Sequence, residues 1–282
     1  MKKGPAADEL AMPEAGAFES GWAVYPARLF RDGVASSGDE PLVEETPVAL
    51  NYNDRPHAVM MATPTDLEDF ALGFSLTEGI VERADEMLEL EVIPSRRGVA
   101  VMMRIPGERA ARLDAMRRSL PGTGGCGLCG IENLEAALRM PAPVADRLRI
   151  ARAALGIALR ALPSRQSLGA RTGASHAAAF VSPEGEIRAV REDAARHNAM
   201  DKLAGHMARA RLAPASSGFV IVTSRASYEL AQKAASAGFE LMAAISAPTG
   251  LAVRVARATG MTLIGFARDG RFTCYANEHR LT

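Results

Sequence analysis

Cys126 and Cys129 stand two residues apart within Gly124-Gly125-Cys126-Gly127-Leu128-Cys129-Gly130, a stretch made almost entirely of glycine. Buried structural cysteines sit among apolar side chains on strands or helices, whereas glycines give a loop positive φ and close backbone approach. The composition therefore favours chemistry over packing, and three chemistries compete. A zinc knuckle needs two further Cys or His ligands, and Cys274 and five histidines are what remain. A zinc deaminase needs H-x-E followed by P-C-x-x-C. No histidine here has Glu two residues on, and Gly125 fills the proline position, so that chemistry is excluded. The third is redox or sulfur-transfer chemistry, in which the thiolate is the active species and cations or a helix N-terminus lower its pKa. Arg117 and Arg118 lie just upstream, and a helix is predicted from Ile131 to Arg139. No thioredoxin-like βαβ context surrounds the pair, so sulfur transfer suits the loop better than disulfide exchange.

Further along, several polar clusters have the make-up of an anion site. Arg191 through Lys202 lies at a predicted strand-to-helix junction, where Arg196, His197, Asn198 and Lys202 can cradle an anion at a helix N-terminus. The alternative there is a solvated, capped helix start. Arg171-Thr172-Gly173-Ala174-Ser175-His176 enters a strand with several donors. Thr223-Ser224-Arg225-Ala226-Ser227 and Ser246-Ala247-Pro248-Thr249-Gly250 are strand-to-helix turns, placed where an α/β fold binds nucleotides; helix capping alone also explains their hydroxyls. Phe266-Ala267-Arg268-Asp269-Gly270-Arg271 is a tight turn whose two guanidiniums are good phosphate ligands.

The elements that must position these groups follow from periodicity. Val48–Tyr52 and Ala58–Ala62, around Asn53-Asp54-Arg55-Pro56, predict a hairpin. Thr65 with Glu68 reads as a capping box, and Leu67, Phe70, Ala71 and Phe74 keep helical spacing up to Gly79. A second hairpin spans Leu88–Ile93 and Val99–Ile105, followed by a helix over Glu108–Arg118. A long helix is expected over Val144–Leu162, a third hairpin over His176–Val181 and Ile187–Arg191, and a helix over Arg196–Ala210. Phe219–Val222, Leu241–Ile245 and Leu263–Ala267 then alternate with helices at Ser227–Ala237 and Gly250–Ala258, which argues for an α/β layer with parallel pairing at least in part. Residues 1–40, rich in Gly, Pro, Ala and acids, are expected to be loosely ordered. Residues 41–120 read as a smaller α+β part with hairpins, 121–130 as a mobile cysteine loop and 131–282 as the main α/β domain.

Composition narrows the partners. Lys plus Arg equals Asp plus Glu at 33 each over 282 residues, so no net field favours nucleic acid or an anionic membrane. Three cysteines are no disulfide framework, and no apolar run approaches a membrane span or a signal core, which points to the cytoplasm.

In this order, these segments resemble the FdhD family of sulfur carriers required for active formate dehydrogenase. The resemblance covers roughly residues 42 to 280. It rests on Glu44–Leu50, His57–Pro64, Asp66–Ile80, Cys126–Gly130, Arg171–Gly173, Arg191–Lys202, Ser246–Thr249 and Gly265–Arg271. Ala174, Ala195 and Ser224 replace glycines common in the family. The resemblance implies a persulfide relay: a cysteine desulfurase loads Cys126, Cys129 assists or receives the sulfur, and the sulfur passes to the molybdenum of bis-molybdopterin guanine dinucleotide before that cofactor enters the formate dehydrogenase catalytic subunit. It also implies cofactor binding at the turn Phe266, Ala267, Arg268, Asp269, Gly270 and Arg271, with no tightly held metal of the protein's own; His197, Lys202 and Arg225, from the polar clusters above, are the further candidate cofactor ligands. The implied fold is a cytidine-deaminase-like three-layer α/β/α domain with a smaller N-terminal α+β part, in a homodimer. Two other readings stand beside the carrier: a non-catalytic cofactor chaperone whose cysteines are structural or hold zinc, and a dithiol oxidoreductase.

Overall fold

Alternation in Thr46–Tyr52 builds the first sheet. Thr46, Val48, Leu50 and Tyr52 are buried, while Pro47, Ala49 and Asn51 between them face outward, the period-two signature of a strand covered on one face. The computed structural model describes residues 20–118, 140–212, 215–268 and 270–282. In it, β3 (Thr46–Tyr52) pairs antiparallel with β4 (Arg55–Ala62) and parallel with β6 (Gly98–Arg104), and β6 pairs antiparallel with β5 (Glu89–Ser95). The order is β4-β3-β6-β5. Helix α1 (Leu67–Thr77) and helix α2 (Gly107–Arg118) supply Phe70, Phe74 and Leu113 to the core against Val48, Leu50, Val101 and Met103.

The second sheet is larger and covered on both faces. β7 (His176–Val181) and β8 (Ile187–Asp193) form an antiparallel hairpin, and β9 (Phe219–Val222), β10 (Leu241–Ala244) and β11 (Thr262–Arg268) are parallel. β7 runs antiparallel to β9, and β12 (Arg271–Ala276) antiparallel to β11, giving the order β12-β11-β10-β9-β7-β8. β9 and β10 are buried at every position, as parallel strands between two helical layers must be. Val220, Val222, Met242 and Ala244 face α5 (Arg196–Arg209), α6 (Tyr228–Ser236) and α7 (Gly250–Thr259). Phe219, Ile221, Leu241 and Ala243 face α3 (Arg152–Ala161). A short helix, α4 (Ser167–Thr172), precedes β7. The result is a mixed α/β architecture with helices on both sides of the main sheet.

Three expectations need correction. Residues 22–40, expected to be loosely ordered, lie in an antiparallel ribbon of β1 (Trp22–Arg31) and β2 (Val34–Val43), so the boundary placed at residue 40 falls inside a strand. Its turn is Asp32-Gly33, both at positive φ, the primed two-residue turn that matches strand twist. The helix expected over Val144–Leu162 begins only at Arg152. Upstream, the amides of Val144, Arg147, Leu148 and Ile150 donate to Thr259, Glu240 and Arg280, so those donors are spent on tertiary partners rather than on a helix. The Thr65 capping box does not form. Asp66 takes the N-cap in the left-handed region without a side-chain hydrogen bond, and Thr65 lies against Gly21.

The two sheets are joined through α1 and α5. Gly73 and Gly205 meet at their crossing so closely that a Cβ on Gly73 would lie 1.7 Å from the Asp201 carbonyl oxygen, and one on Gly205 would lie 1.8 Å from that of Asp69. Ion pairs flank the crossing. Arg191 and Arg209 donate to Asp69 at 2.8 and 2.7 Å, while Lys233 lies 3.0 Å from Asp201 and 2.6 Å from Glu78. Thr77 also donates to Asp201 at 2.6 Å. Burial pushes the Asp201 carboxyl up to about 6, against the pull of Lys233, whose one ammonium is shared with Glu78. Burial opposes the Lys233 charge too, but the two carboxylates hold it above the ordinary lysine range.

A pH dependence follows from Asp201. Its folded pKa lies above the unfolded value of about 4, so between these values the folded chain binds the extra proton. The corresponding stability is full below about pH 4 and is lost as pH rises through about 6, an effect on the order of 3 kcal/mol. Urea midpoints of wild type and Asp201→Asn, compared at these two pH values, are expected to diverge, with only the wild type losing this contribution. Parallel pH profiles would overturn the assignment.

Candidate functional site

The carboxyl ends of β9, β10 and β11 open onto one edge of the main sheet, and a turn leaves each. Thr223–Ser227 follows β9, Ser246–Gly250 follows β10, and the β11–β12 turn closes the set. Backbone hydrogen bonds lace them together: Ala226 N donates to Ala247 O, Thr249 N to Ala226 O, and Phe266 N to Ser246 O, at 2.9–3.2 Å. Gly265 makes the last approach possible, since a Cβ there would lie 2.6 Å from Pro248 Cδ. Ser227 caps α6 by accepting from Leu230 N, and Thr249 caps α7 by accepting from Ala252 N. Capping therefore accounts for both hydroxyls, and it leaves two helix N-termini with their positive dipole ends at the same edge.

β7 brings in a further group. Because it runs antiparallel to β9, its first residues lie beside the end of β9, where Thr223 Oγ1 accepts from Ala177 N at 2.9 Å. His176 stands there opposite Asp193 in the ladder, and α5 starts at Arg196 and His197. Burial, then the neighbouring Arg196 charge, holds His176 below the ordinary histidine range. Burial does the same for His197 against the pull of Glu229, whose carboxylate lies 3.8 Å from Nδ1. Both imidazoles are therefore neutral near pH 7. Among the described residues the buried Arg196 Nε has no hydrogen-bond partner.

The expected site residues divide into three groups. Arg225, Phe266, Arg268, Gly270 and Arg271 are exposed at this edge. Arg268 and Arg271 face each other across the mouth of the β11–β12 hairpin, while Phe266 and Gly270 take positive φ. His197 is part-buried beside Glu229. Lys202 and the Ala267 side chain, by contrast, do not reach the edge. Lys202 is wholly buried, 2.8 Å from Asp193 and donating to the Thr63 carbonyl at 2.9 Å, so it ties α5 to β8 and to the end of β4 rather than facing a ligand. Ala267 packs into the core on the α3 side of the sheet. Cys126, Cys129 and Asp269 lie outside the described residues, as does the helix expected at Ile131–Arg139. Cys274 is half-buried on β12, its thiol donating to Ala276 O at 3.3 Å. Glu229 was not foreseen as a partner of His197; its one sequence signal is its place in the first turn of the helix after Ser227.

A cleft of about 760 Å³ lies at the opposite end of α5 and α6, lined by Leu76, Met207, Leu212, Gln232 and Phe239. The chain re-enters the described structure along its wall, at Met140–Ala145. The 14 residues of α5 put the two ends about 20 Å apart. Among the described residues no group of three or more His, Cys, Asp or Glu side chains is gathered to hold a metal, and no helix is long and apolar enough to cross a membrane.

The chain is 50% identical over 272 residues to a sulfur carrier protein FdhD of Xanthomonas euvesicatoria pv. vesicatoria, covering 96% of each chain. It is 51% identical over 261 residues to that of Xanthomonas campestris pv. campestris strain B100, covering 93% of this chain and 92% of the relative. A Bordetella petrii protein of the same name is 49% identical over 249 residues, covering 88% and 89%. Among solved structures, a chain from Desulfotalea psychrophila, named as a formate dehydrogenase accessory protein, superposes with a TM-score of 0.72 at 26% identity, covering 93% of this chain and 99% of its own. The FdhD/NarQ family pattern matches residues 43–282, and this chain belongs to that family.

Proposed function

We propose that this protein is a sulfur carrier for formate dehydrogenase, a sulfurtransferase that loads sulfur onto the molybdenum cofactor before the cofactor enters the enzyme. The observation that carries the reading is identity near 50%, over almost the whole length of both chains, to proteins named as sulfur carriers. The Cys126 thiolate attacks the terminal sulfur of a persulfide on a cysteine desulfurase. The old S–S bond breaks, the desulfurase thiolate leaves, and a persulfide forms on Cys126 with no net oxidation. Cys129 assists or takes the sulfur in turn.

The substrate that receives it is the molybdenum of bis-molybdopterin guanine dinucleotide. Its two pyrophosphates call for cations and helix N-termini, and the sheet edge offers Arg225, Arg268, Arg271 and the α6 and α7 N-termini. His197, Phe266 and the Asp269-Gly270 backbone complete the proposed cofactor site, and Lys202 supports it from behind. In this reading the main sheet is a cytidine-deaminase-like layer that binds a nucleotide without zinc, the smaller sheet is an attached part, and the protein works as a cytoplasmic homodimer between desulfurase and dehydrogenase subunit.

The test is peptide mass analysis after incubating the pure protein with a cysteine desulfurase and cysteine under non-reducing conditions. One added sulfur is expected on the Cys126 peptide. Its absence, with the desulfurase shown to be active, would overturn the carrier reading.

A further inference from the structure

Among the described residues the four-stranded sheet is covered, by α1 and α2, on one face only. On the other, the register sets Val59, Ala49, Ala100 and Ile93 side by side across all four strands. The Pro47–Met61 pair flanks this row on one side and Met102 on the other. Val59 is 57% exposed, and Met61 and Ile93 are exposed as well. A sheet with one face in water ordinarily carries polar residues there, and an apolar patch of this extent marks an interaction surface.

A second apolar surface needs cover too. Directly paired residues of the β1–β2 ribbon share a face, which puts Val24, Pro26, Phe30, Ala35 and Pro41 on one side and Tyr25, Leu29, Val34 and Leu42 on the other. Phe30 and Val34, beside the turn, are 74% and 69% exposed. The ribbon is tied at its root, where the Arg171 guanidinium lies 4.4 Å over the Trp22 ring, Tyr25 donates to Glu44 and the Glu44 amide donates to Gly21. A two-stranded ribbon is marginal in water without support, and its exposed apolar side chains call for cover.

We propose that the ribbon of one copy lies across the open face of the four-stranded sheet of a second copy, and reciprocally, in a two-fold dimer. Charge agrees with this pairing. Among the described residues Arg28, on the same ribbon face as Phe30, has no carboxylate partner, and Glu91, opposite Met102 on the sheet face, has no cation. The size agrees as well. A ribbon about 10 Å wide with about 25 Å of free length, in contact twice and counted on both partners, covers about 1,000 Å², where specific interfaces begin. The inference rests on the dimeric state in the proposed function and assigns its surface. Persulfide acceptance by Cys126 does not depend on it, so the two readings fail separately.

The test compares the mass in solution, at micromolar concentration, of wild type with the doubles Phe30→Asp/Val34→Asp and Val59→Asp/Met61→Asp. All four side chains are exposed or border water, so circular dichroism is expected to stay unchanged. Wild type is expected at twice the chain mass and both doubles at the chain mass. A benzophenone amino acid replacing Phe30 in unlabelled protein, mixed with ¹⁵N-labelled protein, is expected to cross-link to labelled peptides containing Val59 or Ile93. A monomeric wild type, which would assign the face to another protein, overturns the proposal. So does a dimer surviving in either double, or cross-links confined to one copy.

Discussion

Gly205→Ala is expected to lower the thermal midpoint by about 10 °C, a loss of at least roughly 3 kcal/mol for a chain of this size. Two effects of opposite sign compete. Alanine in a helix interior stabilises by up to about 1 kcal/mol relative to glycine. At Gly205, however, the new methyl would lie 1.8 Å from the Asp69 carbonyl oxygen and 2.7 Å from the Gly73 nitrogen, both backbone atoms that no rotamer change can move. The α1 and α5 axes must separate by more than 1 Å to restore ordinary contact. That movement also stretches the Asp69 pairs to Arg191 and Arg209 and the Thr77–Asp201 hydrogen bond, which cross the same interface. Overpacking alone costs about 1–3 kcal/mol, and parting buried charges adds several more, so the clash outweighs the propensity gain.

Gly156→Ala in α3 is the matched control, because its Cβ would meet only the mobile end of Arg160, at 3.4 Å. There the propensity term stands alone and the midpoint is expected to hold or rise. Calorimetry of the two variants checks the pair. An unchanged midpoint for Gly205→Ala would mean that the helices are not held at this distance.

This same crossing explains which parts of the fold and site were legible in the sequence. The short apolar runs at Phe219, Leu241 and Leu263 were readable because burial on both faces removes polar residues from a strand, whatever surrounds it. The β7–β8 hairpin carried its own turn, Ser182 to Gly185. What failed depended on distant partners. Residues 144–151 have helical periodicity, but the buried Glu240 carboxylate, some 90 residues on, accepts the amides of Arg147 and Leu148 and prevents the helix. The ribbon at 22–43 was hidden because composition outweighed its single Asp32-Gly33 turn.

Within the site, the turns after β9 and β10 were legible as strand-to-helix turns, and the parallel pairing of β9, β10 and β11 sets them beside the β11–β12 turn, a proximity that periodicity does not encode. Lys202 was misread for a physical reason. A lysine in a polar stretch looks the same whether it faces an anionic ligand or a buried carboxylate, and Asp193, nine residues upstream, fills the second role. Asp69, Asp201 and Lys233 drew no notice, because their partners lie on elements more than 30 residues away.

Cys126→Ala is the sharpest test of the proposed chemistry. In cells whose own carrier has been removed, this variant is expected to lower formate dehydrogenase activation on the order of 100-fold, because a methyl group cannot take up a sulfur atom and no other thiol duplicates a loaded nucleophile. Binding of guanosine diphosphate to the pure variant, measured by calorimetry, is expected to match wild type. The donors proposed for the nucleotide, Arg225, Arg268, Arg271 and the helix N-termini after Ser227 and Thr249, belong to the main sheet edge, well separated from residue 126 in sequence. Cys129→Ala is expected to lower activation less, since the first persulfide still forms on Cys126. Cys274→Ala is expected to leave activation unchanged, because burial raises that thiol's pKa and its Sγ is engaged with Ala276 O. The pattern distinguishes three mechanisms. Loss of activation with binding intact is the carrier's signature. Full activation by Cys126→Ala would leave a cofactor chaperone in its place, and equal, complete loss in both cysteine variants would point to a dithiol cycle.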